Sequence, residues 1–307
     1  MPLVCWHHLA VCSVIRRRAG NSGRIVSLDI RRHCPVNPRS GARMLGLPEA
    51  RVRGVVYRTR VGIGTRRNMM MDIAEVKALI FDVFGTVVDW RSSIIQHGKQ
   101  FGRVHGVAAD WDAFADAWRA KYGPFMDKVR HGALPWTNLD GLHRMALEEV
   151  LAEFNITGLS EAAKAEFNLA WHDLRPWPDA VPGLYRLKHR FIIAPMSNGN
   201  VALMTNMAKN GGLPWDCILG AELARHYKPD PESYLTAVNL LGLRPEQVMM
   251  VAAHQGDLLA AGKLGLKTGF VPRPLERGPG RTPDPTPDPS FTVVANDFMD
   301  LAEKLNT

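Results

Sequence analysis

Residues 76–89 read VKALIFDVFGTVVD. The first six form a short, nearly continuous apolar run, the pattern of a strand buried on both faces of a parallel sheet. The run stops at Asp82, and Gly85 permits a tight turn just beyond it. A carboxylate at the tip of a buried strand is the point from which the rest of the chain is read.

Downstream, residues 92–175 carry helical spacing and no strand pattern. Phe114, Ala117, Trp118, Tyr122 and Phe125 recur close to a 3.6-residue period, which predicts a helix over 112–129. Leu142, Met145, Ala146, Leu147, Val150 and Leu151 share one side of a helix over 139–154. Ser160 is placed to cap a helix running to about 171. The segment Arg175-Pro-Trp-Pro-Asp ends this region. After Pro182, strands and helices alternate. Strands are predicted over 191–195, 217–220, 248–252, 268–271 and 291–294, and helices over 201–209, 231–241, 258–264 and 297–305. Such alternation implies an α/β fold built on a right-handed, doubly wound parallel sheet. The all-helical stretch 92–175 then forms a second, smaller domain inserted after the first strand, leaving 71–91 and 176–307 as the core.

The chain has 307 residues, of which 46% are apolar and 22% charged, the balance of a globular protein with a core. It contains no run of eighteen apolar residues, so no membrane span is expected. The net charge of +8 suggests nucleic acid until its distribution is read. Residues 1–70 hold fourteen Arg, no Lys and two acids, Asp29 and Glu49, for a net +12; the remainder is net −4. Nucleic-acid binding is therefore not expected of the folded body. Cys5, Cys12, Cys34 and Cys217 make neither a disulfide framework nor a zinc spacing. Residues 1–70 lack periodicity and are expected to lie outside the fold. They read as a start codon assigned too far upstream, which Met69-Met-Met favours, as a transit peptide, or as a basic tail. A chain begun at Met71 is expected to fold and keep its activity.

Open parallel sheets bind ligands at the carboxyl ends of their strands. Four strand ends here carry pointed chemistry: Asp82 and Thr86, then Ser197 and Asn198, then Lys228, then His254 and Asp257. Each alone reads more readily as a cap, a turn residue or a solvated side chain. Their joint occurrence at one sheet edge points to a site. Phe84, Trp90 and Trp136 are candidates to wall an apolar pocket beside it.

The segments Asp82-Val-Phe-Gly-Thr-Val-Val-Asp, Ser197-Asn-Gly, Lys228-Pro-Asp and the apolar strand leading to Asp257 resemble, in order and spacing, the four motifs of the haloacid dehalogenase superfamily. The resemblance covers residues 76–305 and implies a Rossmann-like core, a helical cap and covalent catalysis by the Asp82 carboxylate. A phosphatase of this superfamily needs a second acid two residues after the first and a further acid pair for magnesium. Here Phe84 stands at the second position, and the fourth motif carries Asp257 alone. Both departures favour displacement of a halide, which leaves without protonation. The aromatic residue before Gly-Thr and Tyr234 are similar to the type II 2-haloacid dehalogenase branch.

That resemblance implies that Asp82 attacks the carbon bearing halogen and that water then releases the hydroxy acid from the ester. It assigns Lys228 to hold Asp82, Thr86 and Ser197 to bond around the nucleophile and the substrate carboxylate, and Asn198 to meet the halide. Asp257 is assigned to orient Lys228 and the water. A cap arginine is expected over the substrate, Arg130 in preference to Arg119. The family usually carries Ser and Asn where this chain has Ala252 and His254. His254 is open to three roles: a hydrogen bond, a part in activating water, or structure alone. The expected enzyme uses no cofactor or metal and acts on a small 2-haloacid in the cytoplasm; its helical cap is compatible with a homodimer. Other readings are a covalent-aspartate hydrolase opening a strained ring, a magnesium-dependent phosphatase, and a non-catalytic binding protein.

Overall fold

The computed structural model describes residues 73–280 and 286–307. The expectations for residues 1–70 lie outside them. Six strands form one parallel sheet in the order β5-β4-β1-β6-β7-β8. They are β1 (Ala78–Phe81), β4 (Ile192–Ser197), β5 (Leu219–Gly220), β6 (Val248–Ala252), β7 (Lys267–Phe270) and β8 (Val293–Val294). The expected class, α/β with a helical cap, is the one the chain adopts.

β1 lies at the centre and pairs in parallel with β4 and β6. All four of its residues are fully buried. The pleat sends Leu79 and Phe81 to one face, among Leu184, Leu187, Phe298 and Leu301 of the helices Ala180–Lys188 and Phe298–Lys304. Ala78 and Ile80 face the other side, with Tyr234, Val238, Leu258 and Ala261 of the helices Pro231–Leu240 and Gln255–Lys263. Burial on both faces is why this strand reads as a continuous apolar run rather than an alternating one. Truncating such a core leucine to alanine costs about 2–5 kcal/mol.

The cap holds the helices Trp90–His105, Trp111–Ala120, Tyr122–Arg130, Leu139–Glu153 and Glu161–Asn168. Trp118, Phe114, Phe167 and Trp171 pack at its centre. Ser160 caps the last of these helices, its side chain accepting from Ala163 N.

Among the differences from the sequence reading, three bear on the cap and the site. The single helix expected over 112–129 is two, divided at Lys121. Pro124 has no N–H for the Ala120 carbonyl and its ring would clash there, so the first helix stops and a second begins. Val88–Asp89 (β2) pairs antiparallel with Arg175–Pro176 (β3), tying together the chain's entry to and exit from the cap. A two-residue strand containing proline carries no periodicity to detect. Finally, the helix expected at 258–264 starts at Gln255. His254 therefore stands at its N-cap and Asp257 in its first turn.

Among the described residues no helix is long and apolar enough to cross a membrane.

Candidate active site

The carboxyl edge of the sheet gathers the residues singled out in the sequence. Asp82 follows β1 and is anchored by its backbone N–H, which donates to Val251 O at 2.9 Å. Gly85 turns the chain back with φ +88°, a conformation that side chains rarely adopt. The turn brings Thr86 Oγ1 to 2.6 Å from Asp82 Oδ2. Ala253 N donates to the same hydroxyl at 2.9 Å, so the hydroxyl proton is directed to Asp82.

Lys228 is buried, and its Nζ donates to Asp82 Oδ1 at 3.0 Å and to Asp257 Oδ2 at 2.5 Å. Tyr234 donates its hydroxyl to Asp257 Oδ1 at 2.5 Å. Asn198 Oδ1 accepts from Lys228 N at 2.7 Å and so fixes the loop that presents the lysine. Ser197 is fully buried and its Oγ accepts from Gly199 N at 3.1 Å. It shapes the turn after β4 and is not among the residues lining the cavity.

His254 adds a third group to the nucleophile. Its Nδ1 lies 2.9 Å from Asp82 Oδ2, and its Nε2 lies 3.0 Å from Glu276 Oε2. Glu276 is buried and also accepts from Trp90 Nε1 at 3.0 Å. It arrives on the long Pro-rich loop after β7. Arg273 pins that loop, donating Nε to Thr86 O at 2.8 Å and pairing with Asp179 at 2.7 and 2.9 Å. Sequence reasoning missed Glu276. The available signal was the loop's length at the carboxyl edge of the sheet, where long loops are usually functional.

A cavity of about 610 Å³ opens over these groups, lined by Asp82, Phe84, Trp90, Arg119, Tyr122, Asn198, Lys228, Tyr234, His254, Asp257 and Glu276 among others. The cap arginine within it is Arg119. Its guanidinium lies 4.0 Å from the Tyr122 ring centroid and 5.4 Å from that of Trp90. Its Nη1 is buried without a hydrogen-bond partner among the described residues. Arg130, the residue preferred from the sequence, does not line the cavity. It is bound at the surface by Asp230 at 2.7 Å and Asp127 at 2.9 Å. The irregular spacing around the helix break at Lys121 kept both arginines as candidates in the sequence; the fold brings Arg119 to the cavity. Phe84 and Trp90 wall the cavity, whereas Trp136 packs on Tyr227 with ring centroids 5.0 Å apart.

The charges are arranged to keep Asp82 ionised. Burial alone would raise its carboxyl, but the Lys228 ammonium, His254 and Thr86 outweigh burial and hold it well below the ordinary carboxylate range. Burial would lower His254, yet hydrogen bonds to Asp82 and Glu276 push it up to about 10. For Asp257, burial acts upward and the Asp82 charge adds to it, against the pull of Lys228 and Tyr234; the net direction is up. Cationic donors cover both Asp82 oxygens, Lys228 on one and His254 on the other. That donor set repels a divalent cation. Among the described residues, no group of three or more His, Cys, Asp or Glu is arranged to hold a metal ion.

Comparison with known proteins adds three findings. The family model described as haloacid dehalogenase-like hydrolase matches residues 76–265. The (S)-2-haloacid dehalogenase 4A of Burkholderia cepacia is 29% identical over 207 residues, covering 66% of this chain and 85% of that protein. A crystal structure of a defluorinating L-2-haloacid dehalogenase superposes with a TM-score of 0.74 at 47% identity, covering 76% of this chain and 96% of that one.

Proposed function

Because the chain belongs to the haloacid dehalogenase-like hydrolases, within the 2-haloacid dehalogenase branch, we propose that it converts short 2-haloalkanoic acids to 2-hydroxy acids through an ester on Asp82. The observation that carries this reading is an ionised Asp82 with Lys228 on one oxygen, His254 and Thr86 on the other, and Phe84 in place of a second acid. Such a carboxylate is a nucleophile, and the site holds no side chain at position 84 to protonate an alkoxide leaving group.

In the first half-reaction, an Asp82 oxygen forms a bond to C2 of the substrate as halide leaves from the opposite side with the bonding pair. Oδ1 is the better attacker, since it receives one donor where Oδ2 receives two. Arg119, with its unpartnered Nη1, is suited to hold the substrate carboxylate or the departing halide. Phe84, Trp90 and Tyr122 keep water from the reacting carbon, and fixed orientation supplies much of the rate.

In the second half-reaction, water adds to Cγ of Asp82 and gives a proton to Asp257, whose raised affinity for protons suits it as the base. Collapse expels the former Oδ1 as the product alkoxide. Lys228 hands it a proton and recovers one from Asp257. The second water proton leaves with solvent, so each turnover yields one halide and one proton. Thr86 holds Asp82, and Tyr234 holds Asp257. Asn198 steadies Lys228, and Ser197 supports the turn that carries Asn198. The working form in this reading is a homodimer in the cytoplasm, which gel filtration and cell fractionation check.

The test is chloride release from chloroacetate and from both enantiomers of 2-chloropropionate in excess EDTA. Release without added metal supports the reading. Phosphate-ester hydrolysis with magnesium and no chloride overturns it.

A further inference from the structure

Resting on the dehalogenase reading, we propose that His254 and Glu276 form a charged pair dedicated to hydrolysing the Asp82 ester. The Nδ1–H of His254 holds the oxygen that becomes negative, and Glu276 keeps the ring protonated once Asp82 has lost its charge.

The geometry around the ring requires it to donate at both nitrogens. Nδ1 meets Asp82 Oδ2 at 2.9 Å and Nε2 meets Glu276 at 3.0 Å, and ionised carboxylates only accept. The ring is therefore an imidazolium between two anions. Glu276 is held there by construction. Trp90 Nε1 donates to it at 3.0 Å. A Cβ at position 85 would lie 2.2 Å from its Oε1, so glycine at that turn is what admits the carboxylate.

The two half-reactions make different demands on this pair. In the first step His254 only helps to keep Asp82 ionised; it donates to Oδ2 and makes no contact with the attacking Oδ1. After alkylation through Oδ1 the Asp82 group is a neutral ester with Oδ2 as its carbonyl oxygen. Thr86 Oγ1–H and His254 Nδ1–H then point at that oxygen. When water bonds to Cγ, the carbonyl electron pair moves onto Oδ2, where two preorganised donors meet it. On collapse the pair returns, the Cγ–Oδ1 bond breaks and the alkoxide leaves. His254 keeps its proton throughout. Without a second anion, the ring would revert toward its ordinary proton affinity as soon as the ester formed. Glu276 supplies that anion and acts as a positioning residue.

The other ionisable groups facing the ring are Asp257 in the helix it caps, Lys228 across Asp82, and Arg119 and Arg277 from the cap and loop walls of the cavity. Lys228 and the two arginines oppose a proton on the ring. Asp257 is a carboxylate too, but both its oxygens are taken by Lys228 and Tyr234; Glu276 is the carboxylate bonded to the ring, so it retains the proton when Asp82 is esterified.

The experiment is rapid-quench single turnover with 2-chloropropionate on the full chain, in the parent, Glu276→Gln and His254→Gln. Halide and the Asp82 ester are followed, the latter by intact mass. Both variants are expected to release a near-stoichiometric burst of chloride and then accumulate ester. Replacing the charged imidazolium donor by a neutral amide in His254→Gln slows ester decay by about 10²-fold. In Glu276→Gln, ester decay falls as pH rises through the ordinary histidine range or below it, and recovers in acid, whereas decay in the parent stays flat to higher pH. A purely structural role for Glu276 would not produce that profile. Unchanged ester decay in both variants, or slowed halide release with no ester accumulating, overturns the pair while leaving the dehalogenase reading intact. Absence of chloride release by the parent overturns both.

Discussion

The guanidinium of Arg119 lies 4.0 Å from the centroid of the Tyr122 ring. The two residues belong to different helices, which are divided at Lys121. Stacking fixes the cation in the wall of the cavity without neutralising it. Arg119→Ala is expected to cost about 2 kcal/mol or more in kcat/KM, roughly thirtyfold. Arg130→Ala, which removes only surface pairs with Asp127 and Asp230, is expected to change kcat/KM less than about twofold. Steady-state kinetics on 2-chloropropionate decide, and the reverse ranking would restore Arg130 to the site.

Asp82→Asn is expected to keep the fold and lose turnover by on the order of 10⁴-fold or more. In heavy-oxygen water, one turnover of the parent is expected to leave the label in the peptide containing Asp82 and not in the first product molecule. A labelled first product would mean that water, not Asp82, attacks the substrate.

Lys228 neutralises two buried carboxylates at once. Lys228→Met leaves Asp257 without a counter-charge and Asp82 with His254 alone, and is expected to destabilise the protein by about 3–5 kcal/mol while abolishing activity. Urea unfolding measures the first effect. Retention of parental stability would show that the carboxylates take up protons at little cost.

Stability is expected to depend on pH through His254. Its pairing with Asp82 and Glu276 raises it from 6.5 to about 10 in the fold. The contribution is therefore complete below pH 6.5, declines above it, and is gone once pH passes about 10. Asp82 acts in the opposite sense: its folded value is depressed, so its share is present above its ordinary 3.8 and is lost in acid. Thermal melts between pH 6 and 10 should show a decline that is shallower in His254→Asn. Parallel curves would remove His254 as the cause.

Gly85→Ala places a side chain at φ +88° and a Cβ against Glu276. A loss of about 1–3 kcal/mol is expected from the backbone strain. Displacement of Glu276 should also slow turnover, so urea unfolding and kinetics are measured on the same variant. A fully stable, fully active variant would show that the turn adapts.

The α/β class, the placement of Asp82, Ser197 and Asp257 at or just past strand ends and of Lys228 in the loop before a helix, and the helical insertion were legible because each depends on local pattern. A doubly buried strand must be a continuous apolar run, and the turn after it needs glycine. The sequence by itself determined those features. The tertiary structure alone decided which arginine enters the cavity and which carboxylate meets His254. Trp90 and Glu276 are 186 residues apart, and they meet because Arg273 clamps a loop onto Asp179 and the Thr86 carbonyl. Contacts of that kind depend on how separate segments pack. They leave no period and no spacing in the chain, whereas strand tips follow from the pleat residue by residue.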